Sequence, residues 1–110
     1  MVTFIEHPAF TRRIGEMGAE ESLRKLQHDL ATNPQAGDPI PGLAGLRKVR
    51  MPLPGRGKRG GARVLYLLFV RADIVYLLQV YDKADIADLP PDKRRAVAAL
   101  VREISKEYVP

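Results

Sequence analysis

The spacing of apolar positions along the chain alternates between strand and helix periods. Residues 3–6 (Thr-Phe-Ile-Glu) make a short β candidate. Pro8 suits a first helical turn, and Phe10, Ile14 and Met17 then recur at helical spacing until Gly15 and Gly18 favour a break near Gly18. Residues 20–31 predict a second helix, with Leu23, Leu26 and Leu30 on one face and acids in the first turn; Asn33 and Pro34 stop it. From 33 to 61 the chain holds seven of its nine glycines and five of its nine prolines, so regular structure there is brief. Within that stretch, residues 46–51 set Leu46, Lys48 and Arg50 against Arg47, Val49 and Met51, the alternation of a half-exposed strand.

Residues 62–71 and 74–83 are the strongest strands, rich in Val, Leu, Ile and Tyr, and a hairpin joins them. The even positions from Val64 to Val80 are apolar, whereas the odd positions mix Arg63, Arg71, Gln79, Tyr81 and Lys83 with Leu65, Leu67, Phe69, Val75 and Leu77. Odd residues should therefore pair with odd, because a slip of one residue would put charges on the core face. This favours a three-residue connection, 71–73, and places Arg63 across from Tyr81 with Lys83 on the same face. Tyr66 and Tyr76 then belong to the core. A last helix opens at Pro90, Pro91 and Asp92 and runs to about Tyr108, with Val97, Leu100, Val101, Ile104 and Tyr108 as its apolar stripe and a charged, solvated opposite face. The order is β-α-α-β-β-β-α, an α+β domain with an antiparallel sheet, two N-terminal helices and a C-terminal helix.

Length and composition change this picture little. A chain of 110 residues with 45% hydrophobic residues suits one domain, 1–110, with a single packed core. The absence of cysteine excludes disulfides, a thiol nucleophile and cysteine-ligated metal sites, and two histidines, His7 and His28, exclude a histidine-rich one; no metal or cofactor is expected. Each histidine reads as a cap or surface residue, and paired carboxylates of the glycosidase type have no obvious location. The opening residues lack the apolar run of a signal peptide, and the longest apolar stretch, 64–70, is too short to span a bilayer. The expectation is a soluble, cytoplasmic protein without a membrane partner.

Charge is more informative. The formal net charge is +5, yet residues 39–72 contain eight bases (Arg47, Lys48, Arg50, Arg56, Lys58, Arg59, Arg63, Arg71) and no acid, while the remaining ten bases face all thirteen acids. One segment carries the whole positive excess. Such asymmetry fits a polyanion, and nucleic acid comes before membrane because no basic amphipathic helix accompanies it. Gly55-Arg-Gly57-Lys-Arg-Gly60 matches G-x-G-x-x-G formally, but a strand follows it rather than a helix, and no Lys–Ser/Thr pair follows Gly60, so neither nucleotide-binding motif applies. Composition leaves two roles open for these glycines: letting a basic loop approach a phosphate backbone, or turning a hairpin.

Three stretches carry a resemblance. Gly45-Leu46-Arg47-Lys48-Val49-Arg50, the segment Gly55-Arg56-Gly57-Lys58-Arg59-Gly60-Gly61-Ala62-Arg63-Val64, and Ile74-Val75-Tyr76-Leu77-Leu78-Gln79-Val80-Tyr81-Asp82-Lys83 resemble RelE-superfamily toxins of the HigB-type branch. The opening Phe-Ile-Glu-x-Pro-x-Phe-Thr-Arg-Arg and the Asn-Pro-x-Ala-Gly-Asp-x-Ile-Pro-Gly stretch are similar as well, so the resemblance covers nearly the whole chain. It implies the RelE-like microbial ribonuclease fold and the toxin of a type II toxin–antitoxin pair, an endoribonuclease cutting mRNA in the ribosomal A site without metal. It also implies a cognate HigA-like helix-turn-helix antitoxin encoded in the same operon. On this reading Arg63 clamps the transition-state phosphorane, Tyr81 and Lys83 serve proton transfer or the leaving group, and Arg47, Lys48, Arg50, Arg56, Lys58 and Arg59 hold RNA phosphates. The chain departs from the branch in two ways: Asp82 stands where a small residue is usual, and the aromatics that many members have after the strand Tyr and at residues 51–53 are missing, Leu67 following Tyr66. Related ParE-type proteins share the fold but poison gyrase, which leaves a gyrase-binding toxin or an antitoxin-binding remnant as alternatives.

Overall fold

A computed structural model describes residues 2–55, 61–82 and 90–108. Strand β1 (Thr3–Glu6) leads into helix α1 (Pro8–Met17), where Pro8 lies at the N-terminal turn and His7 Nδ1 accepts the Ala9 N–H at 3.2 Å. Capping is thus the role of His7. Gly18 closes α1 in the left-handed conformation (φ 61°), which a glycine adopts without a Cβ penalty. Helix α2 (Glu20–Thr32) follows, burying Leu23, Leu26 and Leu30 as its spacing predicts. After it come β2 (Asp38–Pro39), β3 (Arg47–Met51), β4 (Ala62–Phe69), β5 (Ile74–Asp82) and α3 (Pro91–Tyr108).

The strands form one sheet in the order β1-β5-β4-β3-β2. The α+β class and the helix placement are as expected, with two differences in the sheet. It is mixed rather than antiparallel, because β1 runs parallel to β5, and the two-residue β2 adds a further edge. No tight turn joins β1 to its neighbour, so its orientation has no local signal. Phe4 and Ile5 supply the specificity instead, packing on opposite faces of the sheet.

Each face buries its own cluster. Helices α1 and α2 cover one face, where Phe10, Ile14, Leu26 and Leu30 pack on Val64, Tyr66, Val75, Leu77 and Val80. Helix α3 covers the other, where Ala98, Val101 and Ile104 pack on Leu65, Leu67, Phe69, Tyr76 and Leu78. Tyr108 stacks on Phe69 with ring centroids 5.1 Å apart and meets Tyr76 at 6.0 Å. The α3 stripe is rotated from the expected one: Ala98 is buried, whereas Leu100 is 39% exposed.

The hairpin register is the main correction. At its open end odd pairs with odd, Arg63 with Tyr81 and Leu65 with Gln79, as the polar positions predict. Between Leu65 and Tyr66 the register shifts, so Tyr66 pairs with Leu77 and Phe69 with Ile74. Leu78 is the extra residue, and the turn therefore spans four residues, 70–73, in place of the expected three. Val70 and Arg71 leave the strand for that turn, with Asp73 in the left-handed region (φ 57°). Consequently the even residues of β5 do not share one face. Tyr76 and Leu78 lie under α3, and Val80 lies under α1 and α2. Tyr66 and Tyr76 are both buried, on opposite sides of the sheet.

Candidate functional site

The acid-free segment does not deliver its cations to one place. Arg47 pairs with Tyr66 and so points to the α1–α2 side. There its Nη1 donates to the carbonyls of Gly37 at 2.6 Å and Gln35 at 3.3 Å. The Tyr66 hydroxyl completes the same lock, accepting the Gly37 N–H at 2.9 Å and donating to the Pro34 carbonyl at 2.7 Å. A Cβ on Gly37 would lie 2.7 Å from the Tyr66 ring, so only glycine fits here without displacing the ring. Burial raises the Tyr66 phenol above its ordinary pKa, against the smaller opposing effects of the Gly37 hydrogen bond and the Arg47 charge.

Lys48 and Arg50 take the other side of β3 and are exposed. The register then carries a row across three strands: Arg50 lies opposite Arg63 on β4, and Arg63 opposite Tyr81 on β5. Directly opposed residues on neighbouring strands share a face with Cβ atoms about 5 Å apart. This row therefore sets two guanidinium side chains and a phenol side by side on the α3 face. Arg63 is half-buried, and among the described residues its Nη1 donates to the adjacent Ala62 carbonyl, at 3.3 Å. Tyr81 is 9% exposed and packs with the α3 cluster, which holds its ring beside Arg63. Asp82 pairs with Ala62, a residue of the α1–α2 cluster, so it projects from the face opposite Arg63. The remaining expected site residues, Lys83, Arg56, Lys58 and Arg59, lie outside the described residues.

Two arginines directly opposite one another destabilise a sheet pair, and no acid offsets them on β3 or β4. An anion placed over the row would relieve that repulsion. Chemically, the row offers up to ten N–H donors in two planar forks, a geometry matched to phosphate oxygens, beside a phenol able to donate or accept a proton.

One set of cations was missed in the sequence. The outer flank of α3, expected to be simply solvated, places Arg94, Arg95 and Arg102 against residues 42–43, and Arg94 Nη2 donates to the Pro41 carbonyl at 2.6 Å. Their helical spacing around Ala98 is legible, but the loop they face is not.

The architecture is that of the RelE toxin fold. Among solved structures the chain is similar to the intact E. coli RelBE toxin–antitoxin complex, with 17% identity and a TM-score of 0.57 over 73% of this chain and 94% of that one. It is similar also to free E. coli toxin RelE carrying two arginine-to-alanine substitutions, with 14% identity and a TM-score of 0.62 over 89% of this chain and 94% of that one. No family model matches the sequence.

Proposed function

We propose that this protein is a toxin of the HigB-type branch of the RelE superfamily, an endoribonuclease that cuts mRNA on the ribosome and is held in check by a cognate antitoxin. The observation that carries the reading is the row Arg50–Arg63–Tyr81, a like-charged cross-strand pair beside a phenol on a face that α3 leaves partly open. The RelE fold and the sequence motifs of the branch support it, and the similar RelBE structure is itself a toxin bound to an antitoxin. A HigA-like helix-turn-helix partner follows from the motifs.

The chemistry is an internal transesterification. The ribose 2′-oxygen attacks the adjacent phosphorus, a pentacoordinate phosphorane forms, and the bond from phosphorus to the 5′-oxygen breaks. The 2′-hydroxyl proton passes to a base and a proton reaches the departing 5′-oxygen, leaving a 2′,3′-cyclic phosphate and a 5′-hydroxyl. The phosphorane carries more negative charge than the diester, so a fixed guanidinium stabilises it more than the ground state, which is the condition for catalysis. Arg63 takes that role. Tyr81, and Lys83 beyond it in sequence, are the groups for proton transfer and leaving-group stabilisation. Arg50 and Lys48 hold the flanking phosphates. Arg56, Lys58 and Arg59, in the glycine-rich segment 55–61, are proposed to do the same.

Primer extension on mRNA from actively translating ribosomes tests this reading. The expected result is discrete stops within codons that appear only with the toxin, and fragments that end in a cyclic phosphate. Intact mRNA together with inhibited gyrase supercoiling would instead make the chain a ParE-type toxin.

A further inference from the structure

The buried residues Ala98, Val101 and Ile104 fix the rotation of α3, and with it the direction of the basic side chains around them. Arg94, Arg95 and Arg102 lie four and three residues before Ala98 and four after it, so they flank one row of the helix surface. Facing them are residues 42–43, and the space between is a hollow of about 510 Å³. Arg102 also lines a second hollow, of about 600 Å³, beside Ala44, Ser105 and Lys106. Among the described residues, no acid lines either part. Arg94 is anchored on the Pro41 carbonyl and Lys106 is paired with Glu103 at 3.0 Å. Arg95 and Arg102 are exposed and have no hydrogen-bond or ion-pair partner among the described residues. Along the helix axis Arg95 and Arg102 are roughly 10 Å apart, and Lys106 lies about 6 Å further on.

We propose that this groove docks the phosphate backbone of folded, double-helical RNA, as a second contact separate from the Arg63 row. The proposal rests on the reading of the protein as one that acts on RNA. Arg95 and Arg102, stepped along the helix with no acid in the described lining beside them, suit a continuous polyanion, and guanidinium forks suit its phosphate oxygens. Among the described residues the groove lining contains no aromatic, whereas unstacked single strands are held largely by aromatic stacking. The groove therefore reads backbone rather than bases, and the Tyr81 row serves the single strand. An extended acidic peptide fits less well. One wall is a helix, and residues 42–44 of the other form turns rather than a strand, with the Leu43 N–H already bonded to the Ile40 carbonyl, so no strand edge is offered.

The test compares the full chain with its Arg95→Gln/Arg102→Gln variant in binding an RNA duplex, a single-stranded oligouridine and an oligoglutamate peptide, each at several salt concentrations. Both arginines are exposed, so the thermal midpoint should not move. For the duplex, the salt slope of log K should become shallower by about 1.4–1.8, two phosphate contacts at roughly 0.7–0.9 each, with the oligouridine slope unchanged. An unchanged duplex slope, or no duplex binding by the parent, overturns the proposal. Loss of oligoglutamate binding with the duplex slope intact overturns it in favour of an acidic protein segment. Duplex binding that responds as expected in a protein that cuts no mRNA upholds the groove and removes the ribonuclease reading.

Discussion

Tyr66 and Arg63 stand three residues apart on β4, so they occupy opposite faces of the sheet and do opposite kinds of work. Tyr66 is fully buried with its hydroxyl satisfied twice, by Gly37 and Pro34. Replacing it by Phe keeps the ring and strands a buried N–H and a carbonyl, at a cost of about 1–3 kcal/mol in unfolding free energy. The same phenol makes the fold sensitive to alkali. Burial raises its pKa in the folded protein, so the unfolded chain loses this proton first. Its contribution is full below the ordinary phenol value of about 10 and is lost as pH rises through the higher folded value. Tyr76 is raised for the same reason, with Tyr108 and Glu107 adding to it. Tyr66→Phe should therefore be less stable than the parent near neutrality and lose stability less steeply above pH ~10, as read by chemical unfolding at a series of pH values. Equal alkaline slopes would show that the Tyr66 phenol has the same pKa in the folded and unfolded states. Neither this lock nor the Arg47 contacts with it is legible in the sequence, where Arg47 looks like any other base of the acid-free segment.

At the scale of elements, the helices and the β4–β5 hairpin are legible because caps, glycines and β-rich runs mark them locally. What fails is the information needed to choose a face. Both faces of the hairpin are apolar from Leu65 to Phe69 and from Ile74 to Leu78, so a period of two says nothing about register there. Only Arg63, Gln79 and Tyr81 mark it, and the register holds where they stand; nearer the turn it shifts, and Leu78 absorbs the difference. The α3 stripe has a similar ambiguity, since Val97, Ala98, Leu100 and Val101 offer two overlapping apolar faces and contact with β4 and β5 decides between them. Ile104→Ala should cost about 2–5 kcal/mol, while Leu100→Ala should stay within about 0.5 kcal/mol because Leu100 remains outside the packed stripe. Denaturant midpoints at constant m measure both. A Leu100→Ala loss as large as that of Ile104→Ala would restore the stripe expected from spacing alone.

Across the whole molecule, the sheet separates packing from chemistry. Helices α1 and α2 cover one face, and α3 covers only part of the other, leaving Lys48 and Arg50 exposed beside a half-buried Arg63. The sequence locates the positive excess and pairs Arg63 with Tyr81, because charge runs and polar parity survive without coordinates. Alternation over residues 46–51 puts Arg47 and Arg50 on opposite faces, but the sequence cannot give them different tasks, nor bring residues 42–43 against the arginines of α3, since both depend on contacts between distant segments. The like-charged pair of Arg50 and Arg63 is unfavourable for folding and favourable for a developing anion, which is the central claim. It is tested most directly by single-turnover cleavage of mRNA on ribosomes by the parent and by Arg63→Ala. The account predicts a rate lower by about 10²–10³-fold, the usual effect of removing one transition-state donor, with the unfolding midpoint at or above that of the parent because the opposed charge is gone. A folded Arg63→Ala protein that cleaves at the parent's rate would contradict it.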